Sequence, residues 1–305
     1  MRTLMATDGS DEANAALRAA ARLVRKGNNE VDVLCVAPAL RWNEPRTGPK
    51  PGLGRIRDEY RKKIQAETKS ILKQAQDLLS AEGIEARAIS RIGSPADEII
   101  KLADTYDVTV VGARSRYNRS ELGMGPVASR VIESAPGAVL LARELAGDTA
   151  LRVLVGVDGS LASKHALRTI AACLSVEDAE VTLMHVVEMP WIHLGLDRQW
   201  FDYREEESNQ SDPGIQFEKE LRAEADEIIE EARALIEDRD YSVMVIVEEG
   251  TPATEIVGEA ESRDYDLIVL GATGIADAKH SVLGSVSAKV AWNATCSVAL
   301  VKYIE

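Results

Sequence analysis

The sequence predicts an α/β protein with two domains, each a doubly wound, five-stranded parallel sheet in a three-layer α/β/α arrangement. Three observations lead to this fold class. The chain has 305 residues, about twice the length of an ordinary domain. It contains one unit twice, and within each copy short β-branched segments alternate with longer segments of helical periodicity. A hydrophobic content of 45% is enough to form cores and excludes a disordered chain.

The internal repeat covers nearly the whole chain. The segment TLMATDGSDEANAALRAA matches VLVGVDGSLASKHALRTI, which aligns Asp8 with Asp158 at an offset of 150 residues. The later segments GSPADEII and GTPATEIV align Gly93 with Gly250, an offset of 157 residues. We therefore expect about seven additional residues in the second copy, before its long helix. The predicted domains are residues 1–146 and 150–305.

The elements of each copy follow from periodicity. In the first copy we predict strands at 2–7, 31–36, 85–91, 108–112 and 138–142, and helices at 11–26, 56–82, 95–106 and 125–134. In the second copy we predict strands at 152–157, 180–187, 241–248, 266–271 and 297–303. Strands such as VTVVG are apolar at nearly every position, which is typical of a parallel sheet covered on both faces. Right-handed crossovers then give the doubly wound topology.

Composition restricts the possible partners and location. The net charge is −14, and no stripe of Lys and Arg interleaved with aromatic residues occurs, so we expect no nucleic-acid binding. Residues 1–148 carry 23 basic and 20 acidic side chains, whereas residues 149–305 carry 13 and 30. No apolar segment reaches the roughly 20 residues of a membrane span, and the N-terminal sequence lacks a signal-peptide core. We therefore expect a cytoplasmic protein.

The residues after the first strand of each copy are candidates for ligand binding, because open parallel sheets bind ligands at the carboxyl ends of their strands. The sequence Asp-Gly-Ser occurs at this place twice, at residues 8–10 and 158–160. Ser10 and Ser160 are predicted N-caps of the following helices. The carboxylates of Asp8 and Asp158 are able to accept hydrogen bonds from a ribose or an adenine, or to hold a metal ion.

A glycine-rich segment follows the fourth strand of the second copy. It has the pattern Gly271-x2-Gly274-x9-Gly284-Ser285. We expect Gly271 and Gly274 to allow positive φ and close approach of a ligand to the backbone. The helix that opens at Gly284, Ser285 and Val286 would offer free N–H groups to a phosphate. Neither G-x4-G-K-[ST] nor G-x-G-x-x-G is present, so a P-loop motor and a dinucleotide dehydrogenase are not supported.

The repeated VDGS-type turn, the GTP segment and the G-x2-G-x9-G-S pattern resemble the universal stress protein family in its tandem form. The glycine pattern resembles the ATP-binding branch of that family. The resemblance implies that Asp158 and the main chain of Val186 recognise adenosine. It also implies phosphate and ribose contacts from a further set of residues: Gly271, Gly274, Gly284, Ser285 and Val286. ATP, with Mg²⁺, bound without fast turnover, and a regulatory role in stress survival are the corresponding functional expectations.

The first copy departs from this pattern. Its counterpart residues are Asp8, Val36, Gly112, Ser115 and Gly125. Ser115 replaces the second glycine, and Pro126 replaces the serine, which removes a hydroxyl and an N–H from the helix start. We therefore predict a competent ATP site in the second copy and a degenerate site in the first. Arg114, Arg116 and Arg119 leave open another anion site in the first copy.

Other interpretations remain open at this stage. One is an enzyme, either an ATP hydrolase or a nucleotide-dependent hydrolase or ligase, although no nucleophile elbow and no pair of metal-ligating histidines is present. Another is a phosphoacceptor receiver, since Asp8 or Asp158 ends a first strand and Lys302 lies in a fifth. A ligand-free interaction module is a third.

One insert and the repeat itself suggest assembly. The segment 188–213 contains Trp191, Trp200, Phe201 and Tyr203, and it is predicted either to cover its own helix or to form a lid or partner surface. His280 is predicted to be a surface residue, with a γ-phosphate contact as the alternative. We also expect the two domains to pair within the chain through their fifth strands, and the chain to form a homodimer.

Overall fold

The structure is a computed structural model of the chain. It describes residues 1–24, 29–39, 53–114, 123–145, 147, 150–173, 179–189, 213–236, 242–274 and 283–303. These residues form two compact units, Met1–Glu144 and Leu145–Glu305, called here the first unit and the second unit.

The first unit alternates strands and helices. Its described elements are β1 (Arg2–Ala6), α1 (Asp11–Leu23), β2 (Glu30–Pro38), α2 (Leu53–Ala81), β3 (Ala86–Gly93), α3 (Pro95–Ala103), β4 (Val108–Gly112), α4 (Pro126–Ser134) and β5 (Ala138–Ala142). The strands are parallel and lie in the order β3-β2-β1-β4-β5. Helices α1 and α2 pack against each other, as do α3 and α4, so the sheet lies between two helical layers.

The second unit repeats this plan. Its described elements are β6 (Arg152–Gly156), α5 (Leu161–Cys173), β7 (Glu180–Val187), α6 (Pro213–Ala234), β8 (Val243–Glu249), α7 (Pro252–Ser262), β9 (Leu267–Gly271), α8 (Ser285–Asn293) and β10 (Ser297–Val301). The parallel strand order is β8-β7-β6-β9-β10. The two units thus share the predicted doubly wound, five-stranded topology.

The core of each unit lies on its central strands. All five residues of β5 and of β10 are buried, and the interior residues of β1 and β6 are buried as well. This explains why these strands read as continuous apolar segments rather than as alternating ones, because helices cover both faces of the sheet. The outer strands β3 and β8 are more exposed.

The increase in repeat offset has a structural origin. Ile71 on α2 and Ile228 on α6 occupy equivalent places against Gly9 and Gly159, at an offset of 157 residues. The additional seven residues therefore precede this point, in segments that lie largely outside the described residues. The offset then grows from 157 residues to 159 at the ends of β4 and β9 (Gly112 and Gly271). These two additional residues fall in α7, which has 11 residues where α3 has nine.

None of the described helices is long and apolar enough to cross a membrane.

Candidate functional site

A cleft of about 440 Å³ opens at the carboxyl ends of the strands of the second unit. All seven residues predicted for the second-copy site line it: Asp158, Val186, Gly271, Gly274, Gly284, Ser285 and Val286. They come from four places in the chain, namely the ends of β6, β7 and β9 and the start of α8. The fold therefore brings together what the sequence separates by more than a hundred residues.

The Asp-Gly-Ser turn after β6 is a tight turn that needs its glycine. Gly159 has φ of 77°, in the left-handed region, and an added Cβ would lie 3.1 Å from Cγ1 of Ile228. Gly9 has φ of 73° and is packed in the same way against Ile71. The two serines cap their helices as predicted: Ser160 Oγ accepts from the N–H of Ser163 at 3.1 Å, and Ser10 caps α1 in the same way.

The carboxylate of Asp158 is held at the floor of the cleft. Its Oδ1 accepts a hydrogen bond from the N–H of Ser160 at 3.0 Å. Its Oδ2 points towards the glycine-rich segment, since a Cβ added at Gly274 would lie 3.1 Å from that oxygen. Among the described residues Oδ2 has no hydrogen-bond donor, so it is available to a hydroxyl group of a ligand.

The glycines after β9 act differently from the prediction. Neither Gly271 nor Gly274 has a positive φ, so the expected left-handed backbone was wrong. Gly271 is required for packing, because an added Cβ would lie 2.7 Å from the amide nitrogen of Ser163 on α5. At Gly274 the missing side chain leaves room beside the Asp158 carboxylate. Absence of a Cβ, and not backbone conformation, is therefore what these two positions need.

Helix α8 begins at the opposite wall of the cleft. Gly284 is its N-cap, with an extended φ of −63°, and no side chain caps the first turn. The N–H of Gly284 donates to the carbonyl oxygen of Ala272 at 2.8 Å, and Ser287 Oγ donates to that of Gly271 at 2.7 Å. These two bonds fix the helix start against the end of β9. Ser285 and Val286, in the first turn, line the cleft, and the N–H groups of a first helical turn have no partner within the helix and lie at the positive end of its dipole.

Helix α6 supplies a wall of the cleft that the sequence analysis did not identify, apolar at Leu221 and Ile228 and acidic at Glu224. Leu221, Glu224 and Ile228 line the cleft and are spaced as one helical face. Leu221 packs against a small buried cluster that includes Val187, and Arg222 bonds Glu249 at the end of β8 at 2.8 Å. The helical spacing of these residues was visible in the sequence, but nothing there distinguished a cleft wall from ordinary core packing.

His185 is a second residue that the sequence analysis missed. It precedes Val186 on β7, is half-buried and lines the cleft. Its Nδ1 lies 2.7 Å from the carbonyl oxygen of Val157, the residue before Asp158. Because a carbonyl oxygen only accepts, Nδ1 carries the hydrogen and donates it.

The described lining of the cleft is acidic. It includes the carboxylates of Asp158, Glu188 and Glu224 and contains no Lys or Arg. No group of three or more His, Cys, Asp or Glu side chains suited to a metal ion occurs among the residues with described positions. Within this described part of the lining, an anionic ligand would thus contact main-chain N–H groups, with its charge offset by any cation that it brings with it.

The corresponding place in the first unit keeps the backbone and changes the chemistry. Gly125 is the N-cap of α4, with φ of −71°, and its N–H donates to Ala113 at 2.9 Å, as at α8. Pro126 then occupies the first helical position. Asp8 accepts two hydrogen bonds from Ser10, from its N–H at 3.0 Å and from its hydroxyl at 2.6 Å. Gly112 ends β4 as predicted, whereas Val36 lies inside β2, which runs two residues beyond the predicted end to Pro38.

Several predicted residues fall outside the described part of the chain. These are Ser115, Arg116, Arg119, His280 and the aromatic residues of the segment 190–212.

Comparison with known proteins gives the family. A family model described as the universal stress protein family matches residues 1–143 and again residues 150–302. The chain belongs to the universal stress protein family. Over 152 residues it is 30% identical to a universal stress protein of Methanocaldococcus jannaschii, covering 50% of this chain and 81% of that protein. It is 25% identical over 308 residues to one of Mycolicibacterium smegmatis, covering 98% and 96%.

A solved structure supports the tandem fold. The crystal structure of a universal stress protein from Archaeoglobus fulgidus matches with a TM-score of 0.64 and 21% identity, covering 99% of this chain and 98% of that one. At this identity the likeness shows the fold alone. The sequence-based assignment to a tandem universal stress protein with a three-layer α/β/α fold is confirmed by these matches.

Proposed function

We propose that this universal stress protein is a cytoplasmic regulatory protein that binds an adenine nucleotide, ATP with Mg²⁺, in the second unit and hydrolyses it slowly or not at all. The observation that carries the proposal is the convergence of the seven predicted residues on one cleft. The cleft joins an apolar wall, a carboxylate and a helix N-terminus, which suit a base, a ribose and a phosphate respectively.

The order of the strands supports a particular orientation of the nucleotide. The cleft spans the neighbouring strands β9, β6 and β7. Phosphates at Gly274 and Ser285 would lie at the β9 side, the ribose at Asp158 on β6, and the base at Val186 on β7. Adjacent strands are about 4.8 Å apart, so two spacings are about 10 Å, the length scale of an extended nucleotide.

The first test identifies the ligand and its stoichiometry. Protein purified without added nucleotide is denatured, and the released small molecules are weighed by mass spectrometry. Calorimetric titration with Mg-ATP then gives the number of sites, for which we expect one per chain. Steady-state phosphate release above about 1 per second would instead favour an enzyme.

A matched pair of variants assigns the site to a unit. Gly284→Val should abolish ATP binding, because the added side chain enters a space where even a Cβ would lie 3.2 Å from the carbonyl oxygen of Ala272. Gly125→Val, at the equivalent N-cap of α4, should change ATP affinity little. Both variants are checked for folding by circular dichroism. Equal losses in the two variants, with both folded, would contradict the assignment to the second unit.

A further inference from the structure

His185 is fixed at the end of the cleft where the proposed function places the base. Its ring belongs to β7, two strands away from the Gly271 end of β9 and next in sequence to Val186. The hydrogen bond from Nδ1 to Val157 holds the ring in one orientation. The bond also places the ring next to the Asp-Gly-Ser turn at residues 158–160, whose carboxylate lines the cleft.

The bond to Val157 determines what the other ring nitrogen is able to do. With Nδ1 protonated, the neutral ring leaves Nε2 as a hydrogen-bond acceptor. On protonation of the ring, Nδ1 still donates to the same carbonyl, and Nε2 becomes a donor. The orientation of the ring is thus independent of pH, while the hydrogen-bonding character of Nε2 reverses.

We infer that His185 is a specificity-determining residue that selects a base with an exocyclic amino group, accepting a hydrogen bond from that amino group at Nε2. The base edge of adenine offers an amino donor at its 6 position, whereas hypoxanthine offers an oxygen acceptor there. The neutral ring accepts from adenine and faces the oxygen of hypoxanthine without a donor. This inference rests on the proposed nucleotide site and names what distinguishes its base.

The equivalent position in the first unit is Cys35, which is buried. A cysteine side chain has a single polar atom, its sulfur, whereas histidine has two ring nitrogens. Cys35 is therefore unable to contact a backbone carbonyl with one atom and a ligand with another. The first unit therefore offers a matched position at which substitution should not affect base selection.

The experiment measures the ratio of the dissociation constants of ITP and ATP, both with Mg²⁺, in the wild-type protein and in variants at one pH. The two nucleotides share the same phosphate chain and ribose, so phosphate contacts and the binding of Mg²⁺ cancel in the ratio. We expect ATP to bind about tenfold more tightly than ITP to the wild-type protein, the value of one hydrogen bond.

Variants separate recognition from structure. His185→Phe removes the acceptor at Nε2, so its ratio should fall to about one, whereas His185→Gln keeps an acceptor and should retain part of the preference. Cys35→Ala should leave the wild-type ratio unchanged. A wild-type ratio near one, or a tenfold preference retained in His185→Phe, would overturn the role of His185. Failure of the wild-type protein to bind either nucleotide would instead contradict the proposed function.

Discussion

At the scale of single residues, the two units differ most clearly at one buried ionisable group. Asp32 on β2 is 2% exposed and accepts from Arg87 at 2.8 and 3.1 Å and from the hydroxyl of Tyr106 at 2.5 Å. In the second unit Tyr265 donates to the hydroxyl of Thr182 at 2.8 Å in the same place, and burial, together with the negative charge of Glu259 nearby, raises the pKa of Tyr265. The tyrosine is shared, but its acceptor is a carboxylate in the first unit and a hydroxyl in the second.

The pKa values of this cluster show how the charge is held. Burial alone would raise the pKa of Asp32, but hydrogen bonds from Arg87 and Tyr106, and the positive charges nearby, outweigh burial and lower it below 3.8. Burial, together with the hydrogen bond to the Asp32 carboxylate and the negative charge of that group, raises the pKa of Tyr106 to about 12. A carboxyl group whose folded pKa is lowered stabilises the fold at neutral pH, and that stability is lost as the pH falls through the folded pKa.

Tyr106→Phe tests this cluster. At pH 7 we expect a loss of about 1.5–3 kcal/mol in the stability of the first unit, because the lost bond was made to a charged acceptor. The matched variant Tyr265→Phe removes a neutral bond and should cost about 0.5–1.5 kcal/mol. Calorimetric unfolding from pH 7 down into the acid range measures both. The loss for Tyr106→Phe should shrink as the pH falls through the lowered pKa of Asp32. A loss that stays the same down to the acid limit of the folded protein would show that the charge of Asp32 has no part in it.

At the scale of elements, helices α8 and α4 begin with the same backbone geometry. They differ at the first helical position, where α8 has Ser285, with an N–H and a hydroxyl, and α4 has Pro126, with neither. Their N-caps have nearly the same backbone angles and make the same bond back to the preceding loop. Proline is well tolerated at the first helical position, as Pro126 illustrates, because the N–H it removes has no partner within the helix. An exchange of this residue therefore changes ligand chemistry without changing the fold.

Ser285→Pro makes that exchange in the second unit. We expect ATP affinity to fall about tenfold or more, through loss of one N–H and one hydroxyl at the helix start, while adenosine affinity stays unchanged because adenosine has no phosphate. Melting temperature should stay close to that of the wild-type protein. Titration calorimetry with both ligands gives the comparison. Parallel losses for ATP and adenosine would place the phosphates elsewhere.

How far the sequence predicted these elements depends on what each signal encoded. The strands of both copies and the capping by Ser10 and Ser160 followed from periodicity and residue type, and the structure has them within a few residues. The role of Gly271 was misjudged, because two different requirements both select glycine in a sequence. One is a lack of space against α5, which applies here, and the other is a positive φ, which does not. His185 was missed for a related reason, since its distinguishing contact is with a backbone carbonyl that carries no sequence signal.

At the scale of the whole molecule, charge is distributed unequally between the halves. Residues 149–305 hold 30 of the 50 acidic side chains and only 13 of the 36 basic ones, and the described lining of the proposed site lies in this acidic half. Free ATP carries about four negative charges at neutral pH and would approach an unfavourable potential. Mg²⁺ reduces this charge by two, so the acidic half should prefer the metal complex.

Removal of Mg²⁺ therefore distinguishes a site that depends on the cation from one that holds phosphate by side-chain charge. With EDTA at constant ionic strength, we expect ATP affinity to fall at least tenfold, since Asp158, Glu188 and Glu224 face the cleft without a described Lys or Arg among its lining. AMP, with a shorter phosphate chain, should lose less, and adenosine should lose nothing. Titration calorimetry of the three ligands with and without Mg²⁺ measures the order of these losses. An ATP affinity that is insensitive to EDTA would show instead that cationic side chains from outside the described lining hold the phosphates.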